Sequence, residues 1–330
     1  MSFERWPSFI RVPDEEWTQQ RIETLARKYD TVEHHGWYHN LDPTVAELRD
    51  RLGDDDVLID YSGGTAILAD RLLRDPLHPA SGPHLVIVDS SPKFLRLALD
   101  KFGDDPRMAF RLIRYLKDQD RLEYLDEVVP PGADALVSTN AIHLYYGLPE
   151  TLAAWKRALV SGAAVVVQSG NIRNPDAPAG CWIIDETVDA IHDAAMRIVH
   201  TSPEYAAYRD GLDRPERMAA YAALRQKYFL PVRPLDYYVT ALNNAGITVE
   251  STRAHRIDAR VDEWGDFLSV YHEGVLGWVG GVERIEGRAA SPQDVTARLS
   301  LLRLALHNVF DGATEFPCVW TYITARTNRT

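Results

Sequence analysis

The chain has 330 residues, 45% of them hydrophobic and 25% charged, with a formal net charge of -12 at pH 7. Such a length buries a full core as one large domain with insertions or as two smaller ones, and the acidic balance disfavours nucleic acid, whose phosphates need clustered Lys and Arg. No apolar run approaches the ~20 residues of a membrane span, and the N-terminus lacks a basic segment followed by an apolar core. Cys181 and Cys318 stand far apart, in no metal-ligand spacing, and fit a reducing compartment. The expectation is a cytoplasmic protein with no membrane, nucleic-acid or metal partner.

Residues 1–53 read as a helical cap. Trp17, Ile22, Leu25 and Ala26 give Glu15 to Lys28 a helical pattern, and Asp42-Pro43 supplies an N-cap and a proline at the first helical position. Between them the stretch Tyr29 to His39 is dense in aromatic and imidazole groups, which fits either the wall of a site or a capping segment with solvated histidines. Metal binding by His34, His35 and His39 is disfavoured, because adjacent residues diverge and no carboxylate or cysteine has matching spacing.

Residues 54–170 repeat a strand, turn and helix. Asp56-Val57-Leu58-Ile59-Asp60-Tyr61-Ser62-Gly63-Gly64-Thr65-Ala66 is an apolar run that ends in a carboxylate, two glycines and a small residue: a buried strand, a tight turn and the start of a helix. Glycine lets a ligand approach the backbone, and the helix N-terminus offers free N–H groups. Asp60 at the mouth of the turn repels a pyrophosphate and attracts an ammonium group. The helix runs from Ala66 to Leu73, and His84 to Asp89 is a second short, acid-terminated strand, after which Ser91-Pro92 opens a helix. Met108 to Ile113 reads as the third strand, Asp118 to Val128 as a helix, Ala133 to Ser138 as the fourth strand, Pro149 to Leu159 as a helix and Ala163 to Ser169 as the fifth strand. Near-continuous apolar strands alternating with helices predict a parallel sheet covered on both faces. Asp60 and Asp89 then lie together at the carboxyl edge, where open α/β sheets bind ligands. A single Asp there can be a mere turn residue and Asn140 an Asx turn; two acids at matching points of successive units favour a cofactor site.

This order of elements, with acids closing the first two strands and Asn140 and His143 following the fourth, resembles the class I S-adenosylmethionine-dependent methyltransferases. The D-x-G-x-G-x-G motif of that family falls on Asp60 to Ala66, which keeps the central glycine as Gly64 and carries Ser62 and Ala66 at the outer two. The Gly-Gly-Thr core and the upstream Tyr29-Asp30 pair are similar to the quinone-pathway C-methyltransferases, and the likeness covers roughly residues 29 to 170. The resemblance implies S-adenosylmethionine as cofactor. Asp60 and Gly63-Gly64 would hold its methionine end, Asp89 would accept from both ribose hydroxyls, Ser90 would line the adenine and Asn140 would sit under the methionine moiety. Tyr29, Tyr38 and Ser62 are further cofactor-binding candidates on the same resemblance. Arg114-Tyr115-Leu116-Lys117 offers no acid for the adenine amine before Asp118. His143 would face the acceptor; a satisfied, partly buried histidine is the commoner role for such a residue, although its ordinary pKa suits a base.

The first insertion, residues 171–233, contains an amphipathic helix marked by Ile184, Val188, Ile191, Ala195 and Ile198, and a second helix from Pro215 to Phe229. Residues 234–257 return to the core with a helix from Leu235 to Ala245 and a strand from Gly246 to Ser251. In the second insertion, residues 258–312, Val261, Trp264, Phe267, Leu268, Tyr271, Val275 and Trp278 mark a helix that carries His272-Glu273. Ser291-Pro292-Gln293-Asp294 is a capping box, and the stripe Val295, Leu299, Leu302, Leu306, Val309 reads as core or as the seam of a homodimer. Residues 313–330 hold the last strand, which the resemblance makes antiparallel. The expected fold is α/β: a Rossmann-like doubly wound sheet, mostly parallel with an antiparallel last strand, with helical insertions forming a lid. The expected function is methyl transfer to the oxygen or carbon of a small-molecule acceptor in an apolar, aromatic pocket. His143, His39 and His272 are candidate bases for an oxygen acceptor, Glu273 or Asp185 for a carbon acceptor. The alternatives are a protein that binds S-adenosylmethionine without methyl transfer, and a nucleotide-dependent oxidoreductase, which needs a G-x-G-x-x-G after the first strand that is absent here.

Overall fold

The computed structural model describes residues 3, 6, 8–32, 36–73 and 82–328, the side chains of residues 32 and 36–38 excepted. Its centre is a seven-stranded sheet of β1 (Val57–Tyr61), β2 (His84–Asp89), β3 (Met108–Leu112), β4 (Ala133–Thr139), β5 (Leu159–Ser169), β6 (Ile247–Arg260) and β7 (Glu315–Thr327). The spatial order is β6-β7-β5-β4-β1-β2-β3. All neighbours pair in parallel except β7, which runs antiparallel to both β5 and β6. Every residue of β1 and β2 is buried, as the unbroken apolar runs require of strands covered on both faces. The chain winds from β1 outward to β3 and then crosses back to β4 on the other side of β1. That reversal opens a crevice at the carboxyl ends of β1 and β4, with Asp60 in register with Val137.

Helices flank the sheet: α1 (Thr24–Val32), α2 (Asp42–Arg51), α3 (Ile67–Leu73), α4 (Pro92–Phe102), α5 (Leu148–Ala158), α6 (Glu186–Thr201), α7 (Pro215–Tyr228), α8 (Leu235–Asn244), α9 (Val261–Val270), α10 (His272–Leu276) and α11 (Pro292–Val309). Proline at the first helical turn opens α2, α4, α5, α7 and α11. The expected capping box at α11 is formed: Ser291 Oγ accepts from Asp294 N at 3.1 Å and Asp294 Oδ2 accepts from Ser291 N at 3.3 Å. At the outer edge of the sheet Phe110 N donates to Arg11 O, so the N-terminal segment covers the exposed side of β3.

Two expectations change. The stretch Asp118 to Val128 is not one helix but a hairpin, Tyr115–Leu116 against Arg121–Leu122, followed by a single turn at Leu125–Val128. Asp120 turns the hairpin at φ 51°, and Glu127 starts the helical turn late by accepting from Tyr124 N at 2.6 Å while pairing with Arg121. The helix expected to carry Trp264 and Trp278 breaks at Tyr271 into α9 and α10. The stripe on α11 also has its cover within the chain. Leu302 and Leu306 are buried in one apolar cluster with Ile191 and Ala195 of α6, Trp264 of α9 and Trp320 of β7.

Candidate active site

The turn after β1 is fastened to the end of β2 by its backbone. Ser62 N and Gly63 N both donate to Val88 O, and Gly64 N donates to Asp89 Oδ2 at 2.9 Å. Asp89 Oδ1 accepts from Ser91 N at 2.7 Å, so one carboxylate ties the glycine turn to the start of α4. Ser62, Gly64 and Ala66 have φ of 64°, 55° and 64°, the left-handed region that favours glycine. The two outer positions thus keep the backbone of a glycine motif with other residues, at roughly 1–2 kcal/mol of strain each. Part of that strain is offset at Ser62, whose Oγ lies 2.9 Å from Tyr145 OH, which in turn lies 2.9 Å from Ser138 Oγ at the end of β4. The Tyr145 hydroxyl therefore bridges the two strands that border the crevice. Burial drives its pKa well above the usual phenol range.

Asp60 sits beneath this turn. It is 0% exposed, and neither carboxylate oxygen has a hydrogen-bond partner among the described residues. A Cβ built on Gly63 would stand 2.8 Å from Asp60 Cγ, so glycine is required at position 63 to cover the carboxylate. Burial first, and then the charge of Asp89, pushes the Asp60 pKa up to about 7. Asp60 is thus fully covered beneath the turn. Asp89 is on the edge of exposure; burial raises its pKa against the lowering effect of N–H donors from Ser91, Gly64 and Ser90. Ser90 is exposed beside it.

A cavity of about 290 Å³ opens at the carboxyl ends of β4 and β5. Its walls are aromatic, with Tyr29, Phe229, Trp264, Phe267, Tyr271 and Trp320 among the lining residues. Tyr29 stacks on Phe94 of α4 at 4.7 Å, which links this pocket to the helix that Asp89 anchors. Asn140, His143, Asn171, Asp185 and Lys227 also line the pocket. Asn140 has φ 53° and its Oδ1 accepts from Trp320 Nε1 at 2.9 Å. His143 Nδ1 lies 3.0 Å from Ser169 Oγ, which also accepts from Asn171 N at 3.0 Å. His143 Nε2 lies 3.9 Å from Asp185 Oδ2. Burial pushes His143 down to about 4 and Asp185 up to about 7, so both resist charging near neutrality.

Of the residues singled out in the sequence, Tyr29, Asn140 and His143 meet in this pocket, while Asp60, Ser62, Gly63, Gly64, Asp89 and Ser90 gather at the ends of β1 and β2. The other candidate bases do not join them. His39 is exposed on the surface with Nδ1 2.9 Å from Asp42 Oδ2. His272 Nδ1 accepts from Arg298 Nη1 at 3.0 Å, and burial together with that cation lowers its pKa; its free lone pair is spent, and neither it nor Glu273 lines the pocket. The side chain of Tyr38, like His34 and His35, lies outside the described residues. Tyr145 and Asn171 had no signal beyond their neighbourhood in sequence, because their roles depend on Ser62 and Leu230, remote partners that only folding brings close. Among the described residues no group of three His, Cys, Asp or Glu could hold a metal ion, and no helix is long and apolar enough to cross a membrane.

The strand order with its single reversed strand is that of a Rossmann-like methyltransferase fold. No protein-family model matches the chain, and no curated protein matches it. Solved structures similar to it include the YcgJ protein from Bacillus subtilis, at 9% identity and a TM-score of 0.49, over 89% of this chain and 100% of that one. Another is phosphoethanolamine N-methyltransferase 2 of Haemonchus contortus with phosphomonomethylethanolamine and S-adenosylhomocysteine, at 13% identity and a TM-score of 0.48, over 92% of this chain and 57% of that one. The [4+2]-cyclase SpnF matches at 14% identity and a TM-score of 0.48, over 93% of each chain.

Proposed function

We propose that the protein binds S-adenosylmethionine at the ends of β1 and β2 and methylates a hydroxyl of a small, largely apolar acceptor seated in the aromatic pocket. The chain's own residues fit that cofactor. A Cβ at Gly64 would meet nothing within 4 Å, so the turn is open for close approach of a ligand. The Asp89 carboxylate, held by backbone N–H groups of Gly64, Ser90 and Ser91, keeps lone pairs for ribose hydroxyls. Buried and unpartnered, Asp60 places latent negative charge under the position expected of the methionine end. Bound S-adenosylmethionine supplies a methyl group already activated on its sulfonium.

The observation that carries the choice of a hydroxyl acceptor is the 3.9 Å between His143 Nε2 and Asp185 Oδ2. That gap is too long for a direct hydrogen bond and lets one oxygen atom reach both groups. With Nδ1–H donating to Ser169 Oγ, the Nε2 lone pair is free to take the acceptor's proton. The depressed pKa keeps the imidazole neutral and ready at physiological pH, and Asp185, once ionised, steadies the imidazolium that forms. The aromatic walls exclude water and hold a flat acceptor, so positioning supplies much of the rate.

The test is a labelled-methyl screen of phenolic and aliphatic hydroxyl acceptors, paired with calorimetry using S-adenosylhomocysteine. Cofactor binding together with labelled ether product supports the reading. Tight binding of S-adenosylhomocysteine with no labelled product from any acceptor leaves a cofactor-binding protein without transfer, and absence of binding removes both.

A further inference from the structure

We infer that the acceptor carries a carboxylate remote from its reacting hydroxyl, and that Lys227, with Arg284 beside it, reads that acid group at the mouth of the aromatic pocket. This rests on the methyl-transfer reading for calling the ligand an acceptor, but recognition of the acid is a property of the pocket alone. Lys227, Tyr228 and Phe229, where α7 ends, are successive lining residues. Lys227 both lines the cavity and is exposed, so it stands where the cavity meets solvent, and a lysine there lays its stem on the wall and keeps its ammonium in water. The other two cations of α7 are paired, Arg217 with Glu286 at 2.8 Å and Arg225 with Asp189 at 3.1 Å, whereas Lys227 has no carboxylate partner among the described residues. Arg284 reaches the same place from the turn Glu283–Glu286. It donates to the Tyr228 hydroxyl, its guanidinium lies 5.2 Å from the centre of that ring, and it too has no carboxylate partner among the described residues.

Two cations without carboxylates therefore flank Tyr228 at the rim. In a molecule of net charge -12, which repels an anion as a whole, a preference for an acid has to come from unpaired positive charge at the spot. That charge stands away from the transfer end. Burial is the one cause of the shifts at His143 and Asp185, so the Lys227 ammonium is felt by neither. The remaining polar groups along the walls are neutral: the hydroxyls of Tyr29, Tyr228 and Tyr271 and the amides of Asn140 and Asn171. They can hydrogen-bond a neutral amide as well as a carboxylate. Lys227 is thus the lining group that separates an acid from its neutral counterpart, and the ring of the acceptor fills the aromatic space between the rim and His143.

The experiment is a ligand-observed NMR titration of the full chain without cofactor, near neutral pH and at low salt. The ligands are 4-hydroxybenzoate, 4-hydroxyphenylacetate and 4-hydroxyphenylpropanoate, which set the acid on arms of increasing length, each compared with its own amide. At least one acid should bind about fivefold more tightly than its amide, the upper range for a solvent-exposed ion pair, and high salt should erode that advantage. Lys227 is exposed, so its substitution leaves the fold intact. In Lys227→Gln the advantage should shrink while the amide stays within about twofold, and in Lys227→Gln with Arg284→Gln it should vanish. No acid that outbinds its own amide, an advantage unchanged in Lys227→Gln, or one that survives in the double variant would each overturn the inference; a lysine that serves only the end of α7 gives the second of these results. Because no methyl transfer is measured, loss of this inference and loss of the methyl-transfer reading are separate results.

Discussion

His143 Nε2 stands 3.9 Å from Asp185 Oδ2, both side chains nearly buried, one with its pKa driven down to about 4 and the other up to about 7. The two groups therefore leave a single proton to be shared among base, acid and acceptor near neutrality. Methyl transfer should rise as the pH passes about 7, where Asp185 ionises and can steady the imidazolium. Asp185→Asn should flatten that rise, and His143→Gln should lower kcat by about a hundredfold or more, within the range of general-base catalysis. Initial rates between about pH 5 and 9 give the answer; an unchanged profile in Asp185→Asn would refute the pairing.

The buried Asp60 predicts a stability that depends on pH in a definite direction. Its folded pKa of about 7 lies above the ordinary 3.8, so the folded protein binds this proton more tightly than the unfolded chain. The contribution is present below the ordinary carboxylate pKa and is lost as pH rises through about 7. Asp60→Asn, which cannot ionise, should be more stable than the native protein at pH 8, by on the order of 2–4 kcal/mol, with a far smaller difference near pH 5. Thermal unfolding at the two pH values checks it. His143 acts in the opposite sense, because its folded pKa of about 4 makes the protein lose stability as pH falls from 6.5 toward that value.

Gly63 and Asp60 are coupled by contact. Gly63→Ala should cost about 1–3 kcal/mol, since the new methyl meets the Asp60 carboxylate at 2.8 Å. Most of that cost should disappear in the Asp60→Ala background, and denaturant melts of the four proteins in the cycle measure the coupling. Gly64→Ala makes a useful contrast. A Cβ there meets no atom within 4 Å, so its cost of roughly 1–2 kcal/mol should come from the φ of 55° and persist in either background.

Asp89→Ala removes the acceptor for Gly64 N and Ser91 N as well as the carboxylate offered to the cofactor. S-adenosylhomocysteine affinity should fall by about ten- to a hundredfold, the range for hydrogen bonds to a charged group. Calorimetry that finds no loss would dismiss Asp89 as the ribose acceptor.

The sequence by itself determined the sheet and where its acids lie. A run such as Val57 to Ile59 or Leu85 to Val88 has no polar side to give to water, so it must be buried on both faces, and burial between helices leaves its terminal carboxylate at an edge. The capping box at Ser291 and the prolines at helix starts were equally legible, because their hydrogen bonds close within four residues. Relations over longer separations were decided only in three dimensions. His39, His143 and His272 are alike as letters, and what separates them is Asp42 on the surface, Ser169 and Asp185 around a cavity, and Arg298 holding a lone pair. The left-handed φ at Ser62 and Ala66, the Tyr145 bridge between β1 and β4, and the covering of the α11 stripe by α6 likewise depend on neighbours far away along the chain. Local pattern reports which face of an element seeks burial; which groups meet there is a property of the packing.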